Sequence, residues 1–328
     1  MTKLSLYDQL AESVGAHGSS TVAKIFENLA DEDEAKILLA ASPAASVDEI
    51  SQKTGIPDKS VEEMVNALFK KGLIFKSKKP GATRYYRVRN IIQFHDSTAV
   101  TKDLSPEFVD LWKDYMVNEF EAYRSNLIKA MPKPGMRVIP VNVSVQPQTQ
   151  ILAFDDVKNL IEESRNIAVT PCACRAIEGA CDSPMEVCIQ LNRAADYAQD
   201  RGTGKKLSKE EAIDVLKLAE EAGLVHAGSN QRGSGHVICN CCHCCCMFLG
   251  QVGYMAPSRF QAVVDPDRCT ACEICLERCL FNALSMEETR DVIQVSEDKC
   301  MGCGLCLSSC PEEAIDLNVV RSEDFVPE

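Results

Sequence analysis

Eight cysteines near the C-terminus fall into two runs of one spacing: Cys269-x-x-Cys272-x-x-Cys275-x-x-x-Cys279 and, thirty-one residues later, Cys300-x-x-Cys303-x-x-Cys306-x-x-x-Cys310 followed by Pro311. Thiolate sulfur is a soft ligand that suits iron, and each iron of a cubane cluster needs one. Three cysteines spaced by two residues wrap three corners of a cubane from one loop, so the fourth ligand must come from elsewhere. Zinc ribbons use about four cysteines in two pairs, whereas each run here carries two further ligands at fixed offsets. The spacing therefore favours iron–sulfur chemistry over zinc.

Over roughly residues 262 to 320 this stretch resembles the two-cluster bacterial ferredoxins. The resemblance implies that the last cysteine of each run serves the other run's cluster. One [4Fe-4S] cluster is then expected on Cys269, Cys272, Cys275 and Cys310, and a second on Cys300, Cys303, Cys306 and Cys279. The pattern departs at Leu280, where the usual proline after the fourth cysteine is missing. Flanking residues repeat as well: Val263-Val-Asp-Pro-Asp-Arg-Cys269 aligns with Gln294-Val-Ser-Glu-Asp-Lys-Cys300, and Asn282-Ala-Leu284 with Glu313-Ala-Ile315. A duplicated unit with a pseudo-two-fold axis is expected.

A second, denser set of thiols lies upstream. Cys172, Cys174, Cys181 and Cys188 are followed by Cys239, Cys241, Cys242, Cys244, Cys245 and Cys246, ten cysteines in 75 residues. Adjacent side chains diverge, so the six cysteines of 239–246 do not all reach one cubane. One or two further iron–sulfur clusters are expected here, with a non-cubane centre as a third reading. In heterodisulfide-reductase-type subunits one thiolate bridges two irons, but their Cys-Cys-Gly signature is missing. The Cys-x-Cys-Arg175, Gly-Leu-Val-His226 and Cys-Asn-Cys-Cys242 motifs resemble a central domain of uncharacterised ferredoxin-type proteins from anaerobic microbes, which brings no assigned activity. His226, His236 and His243 are candidate ligands or proton donors, because imidazole replaces thiolate on some irons. Arg175 is a candidate electrostatic partner of the thiolates. Arg201-Gly-Thr-Gly-Lys-Lys206 fails the P-loop spacing and reads as the loop before a helix capped at Ser208.

The elements that must position these residues are legible in part. Ser183-Pro184-Met-Glu186 matches a capping box with proline in the first turn, which predicts Cys188 early in a helix. Val138 to Val145 alternates as a strand, irregular or at an edge because of Pro140. Asp156 opens a helix carrying Val157, Leu160 and Ile161, and Ile167–Val169 is a short apolar strand leading to Cys172.

Upstream, Ser46-Val-Asp-Glu49 caps a short helix ending at Gly55, and Asp58 is a candidate cap for a second helix with Val61, Met64, Val65 and Leu68 on one face. Residues 73–88 read as two strands around a Lys-Pro-Gly turn. About 60 residues thus resemble the winged-helix transcription regulators. That resemblance implies DNA contact through the second helix and through the wing, where Lys76, Lys78, Lys79, Arg84, Arg87 and Arg89 lie. Against it stand Glu62 and Glu63 on the exposed helix face, and thirteen Lys and Arg against twelve Asp and Glu over residues 1–90. Nucleic acid is therefore not the favoured partner. Ser105-Pro106 starts a helix running towards Ala130, whose Phe108, Leu111, Trp112, Tyr115 and Met116 form a core or interface stripe.

The expectation is a multidomain α+β chain: a winged-helix-like domain at 1–92, a helical connector at 93–135, a Cys-rich α+β domain at 136–258 and a two-cluster ferredoxin domain at 259–328. The eighteen cysteines sit in metal-ligand spacings and no apolar signal core opens the chain, which points to a reducing, cytoplasmic setting without a membrane span. A formal charge of −13 suits docking on a basic patch of a redox partner protein. The N-terminal helices are a candidate homo-oligomer surface. The leading functional reading is electron transport through the ferredoxin clusters to the central site or to a partner oxidoreductase. The alternatives are a redox-responsive winged-helix regulator and a reductase acting at the central cysteines.

Overall fold

The computed structural model describes residues 4–79, 82–142, 155–249, 253–287, 289 and 291–328. The chain divides into two compact units, one of residues 1–129 with 176–178 and 201–203, the other comprising the remainder.

The first unit opens with α1 (Leu6–Ser13) and α2 (Ser20–Leu29), then α3 (Glu32–Ala40), α4 (Val47–Thr54) and α5 (Asp58–Lys71). Capping boxes at Ser5, Asp31 and Ser46 satisfy the first-turn amides of α1, α3 and α4. Gly55 (φ +75°) and Gly72 (φ +85°) end α4 and α5 in the left-handed conformation that glycine adopts at least cost. Pro57, not Asp58, is the cap position of α5, which buries Val61, Val65, Leu68 and Phe69. The strands β1 (Ile74–Lys79) and β2 (Ala82–Arg87) pair antiparallel from Ile74↔Arg87 to Lys79↔Ala82. The expected Pro80-Gly81 turn lies outside the described residues.

After α6 (Ile91–Thr98), the aromatic stripe proves to be core: Trp112 is fully buried against Phe94, His95, Phe108 and Tyr115. The single helix expected from Ser105 towards Ala130 is instead two, α7 (Pro106–Asn118) and α8 (Phe120–Ala130), broken at Glu119 (φ −128°). The break lets Phe120 fold back onto Tyr115, so the stripe stays buried past the end of α7.

The second unit contains β3 (Met136–Val138), α9 (Val157–Glu162), β4 (Ile167–Pro171), α10 (Ala173–Glu178), β5 (Glu186–Leu191), α11 (Arg193–Arg201), β6 (Lys205–Lys206), α12 (Lys209–Glu221), β7 (Val225–Ser229), β8 (Val237–Cys241) and β9 (Met255–Ala256). Its seven strands form one sheet in the order β6-β4-β5-β8-β7-β3-β9, in which only the β3–β9 pair is parallel. Ile167, Val169, Ile189, Leu191 and Ile238 form its core with Leu216 of α12. Cys188 lies in β5 and not in a helix. Val187, Ile189 and Leu191 are buried at alternate positions, and two neighbouring strands satisfy that backbone, so the sheet prevails over the local capping signal. Of the strand expected over 138–145, only Val138 lies in a regular strand, at the end of β3; residues 143–145 lie outside the described residues.

The C-terminal part carries β10 (Phe260–Val264), α13 (Ile274–Arg278), β11 (Leu284–Glu287), β12 (Val292–Val295), α14 (Leu305–Ser309) and β13 (Ile315–Val319). β10 pairs antiparallel with β13, and β11 with β12. Asp155, fully buried, accepts from Arg137 at 2.9 Å and from Arg259 at 3.2 Å, which ties the sheet to the start of this module. Among the described residues no helix is long and apolar enough to cross a membrane.

Candidate metal centres

The two C-terminal runs fold into matching loops. In the first, Ala271 (φ +55°) and Glu273 (φ +62°) are left-handed; in the second, Gly302 (φ +64°) and Gly304 (φ +77°) occupy the same positions. Left-handed residues interspersed in a loop make the amide nests that favour anionic groups, iron–sulfur clusters among them. The repeat continues to the fourth cysteines. Asn282 (φ +51°) and Glu313 (φ +47°) turn the chain so that Ala283 N–H donates to Cys279 Sγ at 3.3 Å and Ala314 N–H to Cys310 Sγ at 3.2 Å. Asp265 and Ser296, matched in the sequence repeat, each accept through their carbonyls from the first cysteine of a run, Cys269 and Cys300, at 3.0 Å.

Cys269, Cys272, Cys275 and Cys310 line one cavity of about 330 Å³. Cys279, Cys300, Cys303 and Cys306 line another of about 340 Å³. Burial, then the neighbouring thiols, pushes Cys275 up to about 11. Burial likewise pushes Cys303 up to about 12 and Cys306 well above the usual thiol range. Such thiols ionise when a metal takes up the charge, so binding here releases protons. The donor set is all sulfur, lines a hollow and carries amide donors aimed at sulfur, which fits iron–sulfur clusters. Leu280 packs against the apolar cluster of Val138, Val141 and Leu249, an anchoring role for the side chain standing where ferredoxins have proline.

The ten central cysteines sort into three groups. Cys241 is hydrogen-bonded to Cys239 and Cys246, and Cys246 also to Cys174. These thiol hydrogen bonds hold Cys246 well below, and Cys241 well above, the ordinary thiol range. Cys239 and Cys241 alternate with Asn240 on β8, and Cys241, Cys239 and Cys246 share an apolar cluster with Cys303 of the second ferredoxin loop. Val141 N–H donates to Cys303 O at 2.9 Å across the same boundary.

The second group is Cys181, Cys242, Cys244 and Cys245, whose sulfurs all lie within 4.8 Å of one another. Burial acts to raise Cys181, but hydrogen bonding with Ser183, Cys244 and Cys242 brings it down to about 6. The third is a pair: Cys172 is hydrogen-bonded to Cys188 and buried, and both effects hold it well above the thiol range. All eighteen cysteines are free of disulfides.

Of the three candidate histidines, His226 is fully buried and committed elsewhere. Its Nδ1 lies 2.5 Å from Asn240 Oδ1 and its Nε2 3.1 Å from Glu220 Oε1, which leaves neither nitrogen for a metal. His236 and His243 are exposed. Arg175 is placed as the sequence suggested, beside thiols, but its sulfur partner is the distant Cys242, at 3.4 Å. Glu220 and Asn240 escaped the sequence reading; the Asn between two cysteines was the one available sign.

The comparisons agree with the two ends of the chain. A family model of the 4Fe-4S dicluster domain matches residues 262–317, and one of the sugar-specific transcriptional regulator TrmB matches residues 31–91. No curated protein and no solved structure matches the chain. The C-terminus is thus a ferredoxin-like dicluster domain and the N-terminus a winged-helix-type domain, on either side of a Cys-rich centre.

Proposed function

We propose that this protein relays electrons through a row of iron–sulfur centres. In this reading Cys269, Cys272, Cys275 and Cys310 hold one [4Fe-4S] cluster, and Cys279, Cys300, Cys303 and Cys306 hold the second. Cys174, Cys239, Cys241 and Cys246 hold a third centre. Bound clusters of these types supply one-electron chemistry at potentials spanning about −700 to +450 mV. The observation that carries the reading is the packing of Cys303 in one apolar cluster with Cys239, Cys241 and Cys246, so that the dicluster domain abuts the central thiols without a break.

The chain's own residues set the terms of that chemistry. The amides of Ala283 and Ala314 stabilise negative charge on Cys279 and Cys310, and burial of Cys300 and Cys306 limits water at the second site. Cys272 is exposed, so the first site is the one open to a soluble partner, and the formal charge of −13 suits a basic docking patch on it. Iron and sulfide analysis of anaerobically purified protein, with EPR after reduction, tests the count: about twelve irons per chain are expected. About eight would remove the central centre, and fewer would overturn the reading.

A redox-responsive regulator is the second reading, favoured by the TrmB match over residues 31–91. Loss or oxidation of a cluster would then alter DNA binding by the winged helix.

A further inference from the structure

Four of the central thiols are set apart because every one of their sulfurs lies within 4.8 Å of the other three. Cys181 Sγ lies 3.7 Å from Cys242 Sγ and 3.8 Å from Cys245 Sγ, and Cys244 Sγ lies 3.7 Å from Cys245 Sγ. Zinc bound by four thiolates at about 2.3 Å in a regular tetrahedron spaces its sulfurs about 3.8 Å apart. A cubane interposes irons and sulfides between its cysteines, so its ligands stand well clear of one another. The ferredoxin cysteines line open-sided hollows, whereas these four sulfurs all lie within 4.8 Å of one another.

We propose that Cys181, Cys242, Cys244 and Cys245 bind a single zinc ion as a structural tetrathiolate, separate from the iron–sulfur centres.

The charge around the site provides an independent argument. A zinc ion with four thiolates is a dianion, and one buried cation points at it. Arg175 is 1 % exposed and donates to Cys242 Sγ at 3.4 Å, to Asn240 O at 3.3 Å and to Pro184 O at 2.6 Å. Among the described residues no carboxylate pairs with it. A guanidinium buried without a counter-ion is costly, and the thiolate cage supplies the missing negative charge. Zinc displaces whatever protons the four thiols still carry, and these leave to solvent. No electron moves, as befits a metal without redox states. The ion then ties the loop holding Cys181 to the turn after β8, 61 residues later, and so fixes the turn that carries Cys246.

Full-length protein purified anaerobically, analysed for zinc and iron and by zinc K-edge X-ray absorption, tests the assignment. About one zinc per chain is expected, with four sulfur neighbours at about 2.3 Å. Cys244→Ser, at an exposed ligand, is expected to lose the zinc and keep its iron. Absence of zinc, a zinc shell containing nitrogen or oxygen, or loss of about four irons in Cys244→Ser would overturn the proposal. The absorption measurement needs no variant, so a poorly folding substitution does not blunt the test. Iron is counted in the same sample, so failure of the zinc site and failure of the electron-relay reading give different results.

Discussion

Gly302 and Ala271 occupy equivalent left-handed positions in the two ferredoxin loops, yet only the second requires glycine. A Cβ on Gly302 would lie 2.1 Å from Phe260 O, a backbone atom unable to give way without moving β10. Gly302→Ala is expected to cost the αL penalty of about 1–2 kcal/mol together with that clash. Its iron content should fall by about four, the share of one cubane. Ala271→Gly is expected to leave iron content unchanged, because it relaxes the same conformation in the first loop. Paired iron analysis and thermal melts of the two variants check this; equal behaviour would mean that the loops are not constrained as described. The cysteine spacing made the loops legible as ligand turns. It said nothing of Phe260 O, which reaches Gly302 only through the fold.

Between the elements β7 and β8, His226 serves as a buried polar rivet. It joins Glu220 at the end of α12 to Asn240 on β8, while Asn240 donates to Val187 O on β5 and Glu220 accepts from Asn142 N–H. His226→Ala would leave a buried carboxylate and a buried amide without their partner, at about 1–3 kcal/mol for each group. The expected outcome is a lower melting temperature and a lower denaturant midpoint with iron and zinc content preserved. Loss of metal from a folded variant would instead make His226 a ligand. The same strands show where sequence reasoning stops. The capping boxes at Ser46 and Ser208 act within four residues, so their helices were readable. The box at Ser183 was misleading because the bonds that make β5 a strand come from β4 and β8, up to some fifty residues away. The partition of the ten central cysteines was hidden for the same reason, since Cys174 and Cys181 find their sulfur partners more than sixty residues downstream.

At the scale of the whole molecule the open choice is between a carrier and a regulator, and the surface of the winged-helix unit bears on it. The TrmB match over residues 31–91 is a likeness of fold, and shape alone does not hold DNA; neutralisation of phosphates does. Glu62 and Glu63 are exposed on α5, where a reading helix would face the duplex. Several cations of the unit are engaged within it. Arg84 binds Ala44 O and Glu49, Arg87 binds Ser13 O and Val88 O, and Lys76 binds Asn66 and sits over the Phe69 ring. Arg89 stacks on Tyr86. A formal charge of −13 on the full chain opposes the phosphate neutralisation that gives a DNA-bound protein its steep salt dependence. Gel shifts of genomic fragments with reduced and with oxidised protein are therefore expected to show no specific band in either state, even at low salt. A specific band that changes with oxidation would establish the regulator and make the dicluster domain its sensor. A uniform absence, alongside iron signals that exchange electrons with a soluble low-potential donor, leaves the winged helix as a protein-docking module on an electron carrier.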